Sequence, residues 1–359
     1  MRHSRAMRSS MRRKSGIRRT RSKSSSRLRK SAYVLPASRL RRAYDEGRLA
    51  AESSQVRTEL GSGSTPADIK RAQLLLHESW TRSSNYRAGM GLAESMLREG
   101  QSFSAGFMDA LQLPKQDWLP LPLLKRAAAV VLSCGGVNAS ACLQQLARLP
   151  LHEIIVVMDG GDLGSFGASR CHPGVTIIHI GQMIGGDLAR SIGARLCGMD
   201  IILFADGGKG DRAEGLAQLL TAIDGGADIA LNDETERLGA FRKWDNLSRV
   251  KAFMNWSLGR PDLHANSVVS LPHAWSRESL LAVGTGAIAV PALAQQAAIG
   301  GKLRFAQCPC GLGAPREDGA ALAFGDHFEA LQAAMKQQGN RLALPDRVRR
   351  RGVSGGGWQ

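Results

Sequence analysis

Between residues 127 and 208 the chain alternates short β-branched and aliphatic runs with helix-length segments, and two of those runs end in aspartate. The runs read AAAVVLS from 127, HEIIVVMDGG from 152, GVTIIHI from 174 and DIILFADGG from 200. Strands of five to seven such residues, alternating with helices, predict a mostly parallel sheet covered by helices on both faces. A carboxylate at the carboxyl end of a buried parallel strand lies where an α/β sheet places its ligand chemistry. The pattern therefore points to an enzyme-like nucleotide site rather than to a structural protein.

The expected order is a strand at 127–133 and a helix at 138–149 with Asn138 as N-cap. Strands at 152–158 and 175–180 follow, then a helix at 186–197, a strand at 200–204, a helix at 211–224 and a short strand at 228–231. Helices are expected near 246–256, 276–283, 291–299 and 327–338, with a late strand at 303–306. Upstream, residues 44–122 read as a helical extension and linker. Ser64-Thr65-Pro66-Ala67-Asp68 has the form of a helix start, with proline in the first turn and an early acid. Leu119-Pro120-Leu121-Pro122 reads as a stiff passage into the sheet domain, residues 123–345.

Charge is distributed unevenly. Of 48 Lys and Arg, 16 fall in residues 1–43, where there is no acid; the remaining 32 face 31 acids. The net charge of +17 thus belongs to an Arg/Ser-rich segment that cannot bury a core and is expected to be a disordered tail. Such a tail suits contact with nucleic acid or another polyanion. A second basic, Gly-rich tail is expected at 346–359. The six cysteines show no C-x2-C pairing, so buried thiols in a reducing cytoplasm are the expectation. No apolar run reaches the ~18–20 residues that span a bilayer, and no secretory h-region is expected.

Three motifs, taken in order and spacing, resemble the nucleotide-sugar-binding half of family 2 glycosyltransferases, which have the GT-A fold. HEIIVVMDGG is similar to the family's E-I-I-V-V-D-D-G-S, with Met158 in place of the first acid. The resemblance implies that Asp159 contacts the nucleotide base, where a carboxylate can accept the imide N–H of uracil. GDLARSIGA at 186–194 is similar to G-x-x-x-A-R-N-x-G and implies that Arg190 helps close the nucleotide pocket. DIILFADGG is similar to G-D-Y-I-L-F-L-D-x-D and implies that Asp206 helps hold a divalent cation, Mn2+ or Mg2+, on the donor diphosphate. Gly208 stands where the second acid of that motif belongs. Ser133 takes a threonine place at the end of the first strand. The nucleotide-binding half would span 127–231 and the acceptor half 232–345.

What the resemblance implies is a transferase; it is expected in the cytoplasm, peripheral to a surface or polyanionic assembly. It would move a sugar from a nucleotide-diphosphate donor to a hydroxyl on a glycan or polymer, with inversion. Inverting members place an acid pair before a helix of the second half, yet residues 287–290 contain no carboxylate. Two later pairs remain, Glu317-Asp318 and Asp326-His327. Asp326 is the expected base, and His327, at a helix start, an expected cation ligand beside Asp206. Trp256, His273 and Trp275 are candidates for a sugar subsite or for core positions. The competing readings are a degenerate member that binds without turnover, a polyanion-binding protein acting through its tail, a dinucleotide-binding enzyme and a nucleotidyltransferase.

Overall fold

A computed structural model describes residues 35–344 apart from 61–64, 85–93, 162, 171, 173 and 311–319. The segments 1–34 and 345–359, and with them most of the expected basic tails, lie outside the described residues, as does Glu317-Asp318. The boundary expected at residue 43 moves: residues 37–43 belong to the first helix.

Among the described residues seven strands make one sheet: β1 (Ala127–Cys134), β2 (Leu151–Asp159), β3 (Val175–Ile180), β4 (Ile201–Asp206), β5 (Ile229–Asn232), β6 (His273–Ser276) and β7 (Phe305–Cys308). Their order is β3-β2-β1-β4-β6-β5-β7. The first four pair in parallel, β7 runs parallel to β5, and β6 lies antiparallel between β4 and β5. The mixed α/β architecture with a mostly parallel sheet is thus the one expected. Strand β6 was not: His-Ala-Trp-Ser has no aliphatic run to announce it.

Thirteen α-helices accompany the sheet among the described residues. The extension carries α1 (Ala37–Ala51), α2 (Ser54–Leu60), α3 (Pro66–Ser83) and α4 (Glu94–Ala110). Within the sheet domain come α5 (Ser140–Ala147), α6 (Leu163–Arg170), α7 (Gly186–Leu196), α8 (Ala213–Asp224) and α9 (Thr235–Leu238). The series closes with α10 (Asn246–Ser257), α11 (Arg277–Val283), α12 (Pro291–Gly300) and α13 (Ala320–Gln338). None of the described helices is long and apolar enough to cross a membrane.

Strand period divides the core. Ala127, Ala129 and Val131 of β1 face α5 and α8, whereas Ala128, Val130 and Leu132 face α7 and the helices of the C-terminal half. Burying each of Val130, Val131 and Leu132 contributes about 1.5–3 kcal/mol. The small residues of β1 have a counterpart at Gly193 of α7. A Cβ there would lie 2.3 Å from the Val130 side chain, so glycine lets the helix sit on the strand.

The helical extension is docked. Thr65 and Asp68 form the expected capping box: Thr65 Oγ1 accepts the Asp68 N–H at 3.2 Å, and the Asp68 carboxylate accepts the Thr65 N–H at 3.0 Å. The α3 face then reaches the sheet domain through Gln73, whose amide donates to the carbonyls of Ala147 and Leu149. Leu119 and Leu121 of the proline-rich passage are buried in the sheet core. Nδ1 of His77 lies 3.2 Å from the Leu121 nitrogen and 3.3 Å from the Leu121 carbonyl oxygen, which ties the ring to that residue's backbone.

Burial pushes His77 down to about 3, and nearby Lys70 acts in the same direction. His273, stacked 5.1 Å from Phe204, is also pushed down to about 3 by burial, with Arg190 adding to it. Both rings are neutral in the fold, while the unfolded chain takes up protons below about pH 6.5. Stability is therefore full above that value and falls as pH drops toward about 3, by up to about 1.4 kcal/mol per pH unit for each histidine. Urea midpoints measured between about pH 7 and pH 5 should show this loss, and His77→Gln should shallow it. A wild-type midpoint that stays flat over that interval would contradict the assignment.

Candidate active site

The chain lays down β1, β2 and β3 to one side, then returns to place β4 on the other side of β1. This reversal opens a crevice outside the carboxyl ends of β1 and β4, the place where open α/β sheets bind ligands. A cavity of about 650 Å³ lies there. Leu132, Cys134 and Gly135 contribute to it from the end of β1, and Asp206 and Lys209 from the end of β4. The start of α7 adds Gly185, Gly186, Asp187 and Arg190. Glu234, Arg237 and Lys251 come from the second half of the chain, and Leu322 and Ala323 from the first turn of α13.

Of the residues singled out in the sequence, Arg190 and Asp206 meet at this cavity. Arg190 is 3% exposed. It donates through Nη1 to the Val268 carbonyl at 2.9 Å and pairs with Asp187 at 3.2 Å, while its buried Nε has no hydrogen-bond partner among the described residues. Asp206 ends β4, and its Oδ1 accepts the Gly208 N–H at 2.9 Å. Its Oδ2 lies 3.8 Å from the ammonium of Lys209.

Asp159 stands at the same end of the sheet, opposite Cys134 in the β1–β2 register, but does not line the cavity. It is 0% exposed, and its two oxygens accept the backbone N–H groups of Ile184 at 2.6 Å and Gly185 at 2.7 Å. Its carboxylate thus shapes the loop that opens α7 rather than offering an acceptor to a base. Ser133 is likewise turned inward, its hydroxyl donating to the Val137 carbonyl at 2.7 Å.

The proposed base and metal ligand occupy different settings. Asp326 lies inside α13, not at a helix start, because the helix begins at Ala320. Burial raises its pKa, and Asp187 and Glu329 push it the same way. It sits one turn beyond the cavity-lining Leu322 and Ala323. His327 is fully buried, with Nδ1 against the Ala323 carbonyl of its own helix. Burial lowers its pKa, and Lys251 contributes. His273 and Trp275 belong to β6 and are wholly buried, and Trp256 is exposed on α10; none of the three lines the cavity.

Several site residues had no motif to reveal them. Lys251 of α10 is 4% exposed; its ammonium donates to Ser270 Oγ at 2.8 Å and lies 3.5 Å from Glu234. Arg237 reaches the same Glu234 oxygen at 3.3 Å. Asp245 caps α10 by accepting the Ser248 N–H at 2.7 Å. Four cations (Arg190, Lys209, Arg237 and Lys251) and four acids (Asp187, Asp206, Glu234 and Asp245) line the cavity, so its formal charge is balanced.

The donor set does not suit a divalent cation. A hard cation takes several oxygen ligands, commonly carboxylates. Here Gly208 offers a backbone N–H to Asp206 where a second carboxylate would be needed. Among the described residues, no three His, Cys, Asp or Glu side chains are grouped so as to hold a metal ion. Asp206 and His327 do not form the expected ligand pair, because His327 is enclosed within the packing of α13.

No protein-family model and no curated protein matches the chain. Among solved structures it is similar to the mannosyltransferase PcManGT from Pyrobaculum calidifontis, solved in complex with GDP-Man and Mn2+. The identity is 15% over 75% of this chain and 76% of that one, with a TM-score of 0.40. It is also similar to 4-diphosphocytidyl-2C-methyl-D-erythritol synthase from Anaerococcus prevotii. There the identity is 11% over 56% of this chain and 95% of that one, with a TM-score of 0.39. Neither likeness is close enough to carry a ligand or an activity across.

Proposed function

We propose that this chain is a glycosyltransferase of GT-A type, related to family 2, which binds a nucleotide-diphosphate sugar in the cavity between β1 and β4. The observation that carries this reading is the meeting of Arg190 and Asp206, from two separate motifs, at the crevice where the strand order reverses. A nucleotide diphosphate requires a cavity of this size, a backbone loop that approaches closely and cations for its charge. The glycine pair 185–186 and the four cationic side chains supply the last two.

In the reaction, an acceptor hydroxyl attacks the anomeric carbon as the bond from that carbon to the diphosphate oxygen breaks. The hydroxyl proton passes to a carboxylate and the electron pair of the broken bond leaves with the diphosphate. Asp326 is the proposed base: burial and its neighbours Asp187 and Glu329 raise its affinity for a proton. The cations of the cavity stabilise the charge that grows on the leaving diphosphate. The acceptor would be a glycan or polymer hydroxyl, and the configuration at the anomeric carbon would invert.

A panel of UDP-, GDP- and dTDP-sugars tests this. At ~100 Kd the matching donor should stabilise the protein by about 2.7 kcal/mol, read as a rise in Tm. Asp206→Ala should remove the rise, because its carboxylate anchors the turn at Gly208 and pairs with Lys209. Sugar transfer or slow donor hydrolysis should accompany binding. A donor that binds without either would favour the degenerate binding protein. No stabilisation by any of the panel would remove the basis for the reading.

A further inference from the structure

We propose that this cavity holds the diphosphate without a divalent cation, with the Lys209 ammonium standing where a metal bound to Asp206 would otherwise stand. The inference rests on the reading of the cavity as a nucleotide-diphosphate site and specifies how that site handles charge. Two observations lead to it. The first is the Asp206 turn. One carboxylate oxygen is taken by the Gly208 N–H, and the other faces an ammonium three residues further on at 3.8 Å. That separation is an ion pair but too long for a hydrogen bond, so the ammonium keeps its donors for a ligand. Lys209 is 21% exposed at its side chain and lines the cavity, which leaves it within reach of an incoming anion.

The second observation is independent of that turn. Arg190 lines the same cavity, is 3% exposed and has a buried Nε with no hydrogen-bond partner among the described residues. A guanidinium fixed in the cavity wall favours an anion beside it, because little water is there to screen the charge. Lys251, almost wholly buried, is paired with Glu234 and holds the far wall of the cavity without adding net charge. A divalent cation brings charge to a diphosphate through carboxylates. This cavity brings it on side chains and offers an N–H at Gly208 where the second carboxylate would be.

Calorimetric titration of the full chain with UDP, GDP, CDP, ADP and dTDP, in EDTA and in Mn2+, decides the matter. One of these should bind with a Kd that differs by less than about threefold between the two conditions. Lys209→Met, which keeps the aliphatic stem, should weaken that EDTA-resistant binding roughly tenfold to a hundredfold with an unchanged Tm, and Lys209→Arg should restore most of it. Binding that appears only with Mn2+ would overturn the inference and leave the nucleotide-diphosphate reading standing. Lys209→Met binding as tightly as wild type in EDTA would overturn the role of the ammonium. Failure of all five nucleotides in both conditions would remove the reading and the inference together.

Discussion

Asp159→Asn should destabilise the protein by about 2–5 kcal/mol with no ligand present. The carboxylate is completely buried and accepts two backbone N–H groups, from Ile184 and Gly185, at 2.6 and 2.7 Å. Hydrogen bonds to a charged acceptor contribute about 1.5–3 kcal/mol each, and an N–H left buried and unpaired costs about 1–3 kcal/mol. Asparagine keeps the shape but has one acceptor oxygen, so its NH2 meets one of the two N–H groups donor to donor. Urea unfolding would read the loss directly. Because Gly185 lines the cavity, nucleotide affinity should fall as well. An unchanged midpoint combined with lost binding would return Asp159 to the base-contacting role that its motif implies.

Gly47→Ala should be, with Gly106→Ala, among the most damaging small changes in the helical extension. A Cβ at Gly47 of α1 would come within 2.0 Å of the Phe103 carbonyl oxygen of α4, and one at Gly106 of α4 within 2.0 Å of the Tyr44 carbonyl oxygen of α1. The two glycines thus let the helix backbones touch. Alanine gains up to about 1 kcal/mol of helix propensity over glycine. Overpacking typically costs about 1–3 kcal/mol and is worst when the obstacle is backbone, which cannot rotate away. The net effect should be a loss, with Phe103 and its 5.3 Å contact to Trp80 disturbed. Gly167→Ala in α6 provides the control: among the described residues nothing lies within 4 Å of its Cβ position, so propensity alone should act and the change should be neutral or stabilising. Equal losses in both variants would sink the close-approach argument.

Strands β1 to β4 were legible because each is an aliphatic run closed by small or acidic residues, a signal that depends on local sequence alone. The observed ends differ from the expected ones by one or two residues. Strand β6 was hidden because its four residues lie between partners 69 and 42 positions away at the nearest pairs, and only tertiary pairing makes them a strand. Its burial gives His273 and Trp275 their core role, which neither residue type announces by itself. The site divides in the same way. Arg190 and Asp206 sit in motifs tied to strand ends and were found. Lys209, Glu234, Arg237 and Lys251 come from turns and from α9 and α10, whose approach to β4 depends on the later strands. Asp159 shows a further limit: its pattern fixes which end of the sheet it occupies but not where its oxygens aim. His327 shows the same for α13, where the register of the whole helix, starting seven residues earlier than expected, turns the ring inward.

The insertion of β6 between β4 and β5 has a consequence for synthesis. When the ribosome has delivered the chain as far as Asn232, the hydrogen-bonding edge of β4 is still waiting for residues made more than forty positions later. A nascent chain at that stage presents an apolar ribbon to its surroundings, and the crevice cannot yet have its far wall. Any attempt to express the N-terminal half alone would expose that ribbon permanently, making aggregation the natural fate of the fragment.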